Sequence, residues 1–393
     1  MNIMFLFNTP INTSVGGVQR VTDVLSREFI KRGHSVVFVA YAYRYMLDGV
    51  STVAPQYFID IDNQTEEKNK YDLNRIISKN NIQIVVSQSL SNNRILKMIS
   101  SKVRIISVCH VQPFLVDNWN RKNISAIMPK NLRQRAFKYI SLIFPRFYIK
   151  YTIQKEVRDT LDAFKLSDYV CYISNRFFYR VRKHVISIPE DKMIAINNPN
   201  SFVGSSINNK EKLIIWVGRI NNQSKNTLDF VKMWSKFSPK NPDWRSQIIG
   251  YGRDFEDVKK YIERNGIRNI ELVGRTNNVE YYYKRAQIVA VTSLSESWCL
   301  SITEGMSYGC IPCVYDTFET IRDMIIPNES GIIVSPTPED MEEKLTVLCN
   351  DSDEIKRLSY NAINSIARFS IDRIADEWIS VFNNLLSSKE KYE

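Results

Sequence analysis

The sequence has little of what redox, secreted and membrane-spanning proteins depend on. Six cysteines are scattered through 393 residues, and four lie in or beside apolar runs. That usage reads as reduced core packing in a cytosolic protein rather than a disulfide framework. Cys310-Ile-Pro-Cys313 does have redox-motif spacing. It sits at a helix-to-strand turn, however, and not ahead of a helix whose N-terminus would lower a thiol pKa. No apolar run reaches the ~18 residues of a membrane helix. The start, Met1 to Asn8, lacks a basic lead and a long apolar core, so a first strand is expected there and not a signal peptide. No short-period repeat occurs. Histidines number three, at 34, 110 and 184, which leaves little material for general acid–base chemistry.

What the chain does have is an excess of one charge. Its 53 Lys and Arg outweigh 42 Asp and Glu, for a formal +11, and such a balance suggests an acidic partner: nucleic acid, anionic membrane or phosphorylated substrate. Between Arg121 and Arg158 stand ten Lys or Arg and a single acid, Glu156. Aromatic and aliphatic residues interleave with them, from Phe137 and Tyr139 to Phe147 and Ile149. A segment lying on an anionic lipid surface has this composition, and so does an ordinary solvated helical face. Residues 176–183 repeat the mixture with Arg176, Arg180, Arg182 and Lys183 beside Phe177, Phe178 and Tyr179. No nucleic-acid recognition module accompanies either run, so no nucleic-acid partner is expected.

Taken in order, the chain alternates short apolar runs with amphipathic ones. Residues 3–7 read as a strand, Val18–Lys31 as a helix and Ser35–Ala40 as the next strand. Gly16 and Gly17 stand just before that helix, where glycine lets a ligand approach the backbone, although a plain turn would use the same pair. His34 heads a strand and is read as structural. Further on, Tyr71–Lys79 is expected to be a helix, Ile82–Ser87 a strand and Val103–Val108 a strand followed by Cys109-His110. The end of a parallel strand is where open α/β sheets place ligand contacts, so His110 is a candidate site residue. The basic segment reads as helical, with a break at Pro145. The turn-rich stretch 197–211 is the clearest linker, and the alternation restarts after it with Lys212–Val217. Ile371–Leu386 closes the chain as an amphipathic helix.

Four pieces of the second half fall at strand ends: Gly218-Arg219 with Lys225, then Gly250-Tyr-Gly252, then Gly274-Arg275-Thr276, then Glu296-Ser297-Trp298-Cys299-Leu300 running on to Glu304. In a parallel sheet they share one edge. Together they offer two cations, glycine turns, a helix start and two carboxylates. Free amides at a helix start attract anions, whereas carboxylates accept from hydroxyls. A sugar nucleotide supplies both partners. Acids favouring a solvated helix dipole would look the same at Glu296 and Glu304 alone.

With those residues in view, the sequence resembles the GT-B glycosyltransferases of the large retaining family four (glycosyl transferases group 1). Val217-Gly-Arg219 with Lys225-Asn226 is similar to that family's diphosphate clamp. Gly250-Tyr-Gly252 is similar to its Gly-x-Gly turn, and Leu272-Val-Gly274 to the strand end before its base-binding loop. Glu296-x7-Glu304 resembles its paired-glutamate motif, and Gly16-Gly17-Val-Gln-Arg its first-domain glycine loop. The likeness covers nearly the whole chain and is loosest over 41–70 and the basic segment. Ser297-Trp298-Cys299-Leu300 departs from the common Gly-Phe-Gly-Leu and is expected to add bulk beside the donor sugar.

The resemblance implies an α/β protein of two Rossmann-like, doubly wound parallel-sheet domains facing a central cleft. Residues 1–203 would bind the acceptor, 204–370 the nucleotide sugar, and 371–393 would cross back to the first domain. It implies a retaining, hexosyltransferase-type reaction with a UDP-linked donor. Arg219 and Lys225 would meet the leaving diphosphate, Glu304 the ribose, Glu296 the sugar hydroxyls, and His110 would stand near the reacting centre. No cofactor or metal is expected, because no Asp-x-Asp stands in a matching context; Asp60 and Asp62 read as surface loop. The expected acceptor is a glycan or polyprenyl-linked glycan in cell-surface polysaccharide synthesis, met on the inner face of the cell membrane. A sugar-nucleotide epimerase and a non-catalytic sugar-nucleotide sensor remain as alternatives.

Overall fold

The computed structural model describes the chain except for residues 13–15, 43–50, 101, 119–131, 201, 203, 205–209 and 389–393. The start of the basic segment, part of the linker and part of the 41–70 stretch therefore lie outside the described residues. The chain divides into two compact units, Met1–Pro199 with Ile371–Glu393, and Asn200–Ser370.

The first unit is built on seven strands: β1 (Asn2–Phe7), β2 (Ser35–Ala40), β3 (Gln56–Phe58), β4 (Ile84–Ser87), β5 (Arg104–Cys109), β6 (Tyr169–Tyr172) and β7 (Met193–Ala195). They form one sheet in the order β3-β2-β1-β4-β5-β6-β7, and every pairing is parallel. A strand covered on both faces needs apolar residues at every position. β1 meets this with Ile3 to Phe7, none more than 4% exposed. Met4 and Leu6 pack with Val37, Val85, Leu73 and Ile77 on one face. On the other, Phe5 stacks with Phe29 at 6.4 Å.

Phe29 lies on the helix Gly17–Lys31, whose buried stripe is Val21, Leu25 and Phe29. The turn after that helix passes through Gly33, where φ is +84°. The last helix, Ile371–Ser387, packs against it through Phe382, 5.8 Å from Phe29. Arg32 fastens the pair by donating to Asp376 at 2.5 Å and Asp372 at 3.3 Å. The 41–70 stretch contributes β3 and the first turn of the helix Glu66–Lys79, which starts five residues before apolar periodicity shows it. That turn is polar and rests on a cap instead: Thr65 Oγ1 accepts from Lys68 N at 3.2 Å, with Glu66 and Glu67 facing the positive helix end.

The second unit carries β8 (Glu211–Val217), β9 (Arg245–Ile249), β10 (Ile270–Gly274), β11 (Ala286–Val291), β12 (Ile311–Tyr315) and β13 (Ile332–Val334). Their order is β10-β9-β8-β11-β12-β13, again all parallel. One face is filled by Trp216, Phe230, Trp234, Phe237 and Trp244. The other holds Leu213, Ile215, Tyr283, Tyr308 and Cys310. Cys310 and Cys313 are free and buried, and Cys310 Sγ donates to the Tyr283 and Ala286 carbonyls at 3.1 and 3.2 Å. Burial pushes both thiols up, the wrong direction for redox chemistry.

In each sheet the chain order reverses once, between β1 and β4 and between β8 and β11. Crevices at such reversals, outside the carboxyl ends of the strands, are where open α/β sheets bind ligands.

Candidate active site

The second unit brings its candidates together at the β8/β11 reversal. From β8 the chain runs through Gly218, Arg219 and Lys225 into the helix Thr227–Phe237. From β11 it runs through Glu296 into the helix Leu300–Ser307. The two loops are laced to each other. Leu294 N donates to Ser224 O at 2.8 Å. Thr292 Oγ1 donates to the carbonyls of Lys225 and Asn226 at 3.1 and 2.9 Å, and accepts from Trp216 Nε1 at 3.2 Å. Asn226 sits at φ +50°, a conformation asparagine tolerates better than most residues. The lacing sets Lys225 against Glu296: the ammonium is ion-paired with the carboxylate, which also accepts from Ser293 Oγ at 2.9 Å. Burial works against the Lys225 charge, but the Glu296 carboxylate outweighs it and holds the amine above its ordinary pKa. The pair is a charged one, already assembled beside the start of a helix.

The glycines at the neighbouring strand ends make close backbone contacts. A Cβ on Gly250, at φ +142°, would lie 1.8 Å from Gly218 O, and one on Gly252 would lie 2.1 Å from Ile220 O. What approaches these glycines is protein backbone. Gly218 N donates to Ile249 O at 3.0 Å, Ile220 N to Tyr251 O at 3.3 Å, and Gly250 N to Gly274 O at 2.8 Å. The three strand ends are thereby tied into one platform, on which Arg219 is exposed. Arg275 is exposed at the far end of the platform, and Thr276 Oγ1 accepts from Asn278 N at 3.0 Å, shaping the loop into the next helix.

Glu304 is buried in the second turn of its helix, where Oε2 accepts from Tyr283 OH at 3.1 Å. Trp298 and Cys299 are buried as well. The Trp298 ring stands edge-on to Phe369 at 5.2 Å, and Thr320 Oγ1 donates to Ser297 O at 2.9 Å. The indole is thus packed against Phe369. Cys299 Sγ is 3.2 Å from Ser301 Oγ, and burial pushes its thiol up to about 12.

The remaining candidates lie in the first unit, at its own reversal. Gly16 caps the helix Gly17–Lys31 in extended backbone at φ −162°, and a Cβ there would meet nothing within 4 Å. His110 directly follows β5, and its Nε2 lies 2.5 Å from Gln88 Oε1. Gln88 follows β4, so this contact joins two adjacent strand ends. Burial lowers the His110 pKa to about 4, so the ring is neutral at pH 7. With Nε2–H donating to the Gln88 carbonyl oxygen, Nδ1 is left as a lone-pair acceptor. Nδ1 is buried with no protein partner among the described residues. Gln88, Ser293 and Tyr283 are the residues that sequence reading missed. Gln88 alone had a signal, a polar side chain directly after a buried parallel strand. Among the described residues no three His, Cys, Asp or Glu side chains gather as metal ligands, and no helix is long and apolar enough to cross a membrane.

Residues 197–365 match the family described as glycosyl transferases group 1. The chain is 24% identical over 253 residues to a poly(glycerol-phosphate) alpha-glucosyltransferase of Bacillus subtilis, covering 64% of this chain and 35% of that protein. It is 25% identical over 225 residues to a Campylobacter jejuni alpha-1,4-N-acetyl-D-galactosaminyltransferase whose name specifies a glycan on PP-undecaprenol, covering 57% and 59%. The chain thus spans well under two thirds of the length of these curated relatives. Among solved structures, a Staphylococcus aureus TarM variant in complex with Fondaparinux, alpha-GlcNAc-glycerol and UDP superposes with a TM-score of 0.73 at 12% identity, covering 97% of this chain and 99% of that one. At that identity the likeness establishes the fold, which is GT-B.

Proposed function

Because residues 197–365 belong to the glycosyl transferases group 1 family, we propose that the chain is a retaining glycosyltransferase. It moves a hexose from a nucleoside diphosphate sugar, with UDP as the nucleotide, to a glycan or polyprenyl-linked glycan of a cell-surface polysaccharide. The observation that carries this reading is the Lys225–Glu296 pair at the β8/β11 reversal, beside the start of the helix Leu300–Ser307. A cation, an array of amides and a carboxylate within one loop pair suit a ligand carrying both phosphates and hydroxyls.

The second unit holds the donor. Arg219 and Lys225 neutralise the diphosphate as charge builds on it, with Lys225 exchanging Glu296 for a phosphate oxygen. The amides of Ser297 to Leu300 add donors at the helix start. Glu296, released from Lys225, accepts from sugar hydroxyls, and Glu304 accepts from the ribose. Gly218, Gly250, Gly252 and Gly274 keep the platform under the diphosphate, with Arg275 and Thr276 beside the base. Taken by itself, the first unit offers helix-start amides at Gly16 and Gly17 and a hydroxyl acceptor at His110 Nδ1, and the low His110 pKa suits positioning better than proton transfer at neutral pH. The bond from the anomeric carbon to the diphosphate oxygen breaks, the acceptor oxygen bonds on the same face, and the acceptor proton leaves with the diphosphate. No metal and no resident cofactor takes part. The UDP in the TarM complex and the PP-undecaprenol in the Campylobacter relative's name support the nucleotide and the acceptor class, and the basic segment suits an enzyme working at the inner face of an anionic membrane.

Incubation with a panel of nucleotide sugars tests the reading. Slow release of nucleoside diphosphate and free sugar from one donor is the expected outcome. Epimer formation would replace the proposal with an epimerase, and binding without turnover would replace it with a sensor.

A further inference from the structure

The first unit exposes its apolar surface very unevenly. Seventeen large apolar side chains are exposed among the described residues, and six of them fall within residues 139–151: Tyr139, Ile140, Ile143, Phe144, Phe147 and Tyr151. They sit where the helix Leu132–Ile143 gives way, through Phe144, to the helix Pro145–Leu166. The break follows from Pro145, which starts a helix readily but cannot continue one. Phe137 holds the two helices together, with ring centroids 5.7 Å from Tyr148 and 5.2 Å from Tyr151. Ser141 is buried and donates to Phe137 O at 2.6 Å. The corner is therefore a packed hairpin held by Phe137, Tyr148 and Tyr151, and it leaves Ile143, Phe144 and Phe147 turned outward and exposed.

Charge says what covers them. No acid occurs from residue 118 to residue 155, whereas Arg135, Lys138, Arg146 and Lys150 flank the apolar corner. A second copy of this chain would bring the same cations against it, whereas a bilayer of anionic lipid offers acyl chains under a negative headgroup layer. We infer that the hairpin corner 139–151 is a wedge that seats the protein on an anionic bilayer, Ile143, Phe144 and Phe147 entering the headgroup–acyl boundary and the flanking cations lying among the phosphates.

The wedge is also tied to the first unit's site. Glu156 lies nine residues beyond Phe147 on the same helix, about 14 Å along its axis. Its Oε1 accepts from Phe114 N at 2.7 Å. Phe114 stands at φ +53°, fully buried, and stacks on His184 at 4.4 Å. His184 and Lys183 in turn contact Asp117 at 2.7 and 2.9 Å. The loop that follows His110 is thus anchored to the helix that carries the wedge. This deepens the proposed function and rests on it for its purpose: a membrane-borne acceptor would be met at a height fixed by one helix.

Flotation of the full chain with vesicles tests the inference. Phosphatidylcholine vesicles with and without phosphatidylglycerol are compared, at low and high salt. Wild-type protein should float with the mixed vesicles, and a salt-resistant fraction should remain because the wedge is apolar. Ile143→Ser/Phe144→Ser/Phe147→Ser should lower partitioning at least about tenfold at either salt. Arg146→Glu/Lys150→Glu should lower it at low salt by about fivefold or more per charge. Equal flotation of the triple-serine variant and wild type would overturn the inference. So would a wild-type dimer that the serine changes dissociate while neither protein floats. Donor hydrolysis in vesicle-free solution is read in parallel and should be unchanged in the triple variant. If wild type hydrolyses no donor yet floats, the transferase reading fails and the wedge stands.

Discussion

The two sheet reversals make a natural pair, since each unit places its candidate residues beyond the carboxyl ends of the strands where its chain order turns back. The second does so with charge. Lys225 and Glu296 are paired, the β8 and β11 loops are hydrogen-bonded to each other, and glycines at 250 and 252 let backbone pack on backbone. The first does so with neutral groups. His110 is held uncharged against Gln88, and Gly16 has open space beside it. A charged, interlocked site suits a fixed polyanion, and a neutral one with a spare acceptor suits hydroxyls. The same topology thus presents two chemistries, set by a handful of side chains.

The largest expected effect sharpens that contrast. Lys225→Ala or Arg219→Ala should lower kcat/KM about 10²–10³-fold, or about 3–4 kcal/mol of transition-state stabilisation. His110→Asn, which loses a neutral contact, should cost far less. Equal losses in steady-state kinetics would erase the distinction between the two reversals.

The glycines come next. Gly250→Ala adds a methyl into Gly218 O at a positive φ and should destabilise the protein by about 3 kcal/mol or more. Gly16→Ala should stay within about 1 kcal/mol, since a methyl there meets nothing within 4 Å. Urea denaturation separates these outcomes.

A third prediction concerns pH. The folded His110 pKa is about 4, below the ordinary 6.5, so the unfolded chain takes up a proton that the folded chain refuses. Stability from this group is complete above about pH 6.5 and is lost as pH falls towards 4, on the order of 3 kcal/mol in all. His110→Gln should flatten that part of the stability–pH curve, and an unchanged curve would show that His110 is not held neutral.

The smallest effect is at Glu304. Glu304→Gln keeps an oxygen for Tyr283 OH but removes the charge, and should weaken nucleotide binding about tenfold with little change in Tm. Calorimetric titration with UDP reads it directly.

Much of this was legible in the chain. Residues 3–7 in β1, 213–217 in β8 and 288–291 in β11 are apolar runs because both faces of a parallel sheet are covered, and burial of that kind is written in consecutive residues. The paired glutamates, Arg219 and Lys225 stood out as polar residues following apolar strand runs, and the family resemblance gave them their expected roles. The first turn of the helix Glu66–Lys79 was not, since it rests on a cap and two acids rather than on an apolar stripe. Gln88 was missed because its signal, one polar residue after a strand, gains a partner only when β4 and β5 lie side by side. The packing of Trp298 on Phe369 was not legible for the same reason: the two residues are 71 positions apart.

The sequence by itself determined the alternation of strands and helices, the all-parallel α/β class, and which residues end up at strand ends, because these depend on local periodicity and turn chemistry. It also determined the basic, aromatic composition of the hairpin 132–166. Only the tertiary structure decided which of those residues meet. It paired Lys225 with Glu296 and His110 with Gln88, turned Trp298 inward, and left Ile143, Phe144 and Phe147 outward. Those outcomes depend on which strands become neighbours and which helix faces find a partner, and such contacts between distant residues leave no periodic trace along the chain.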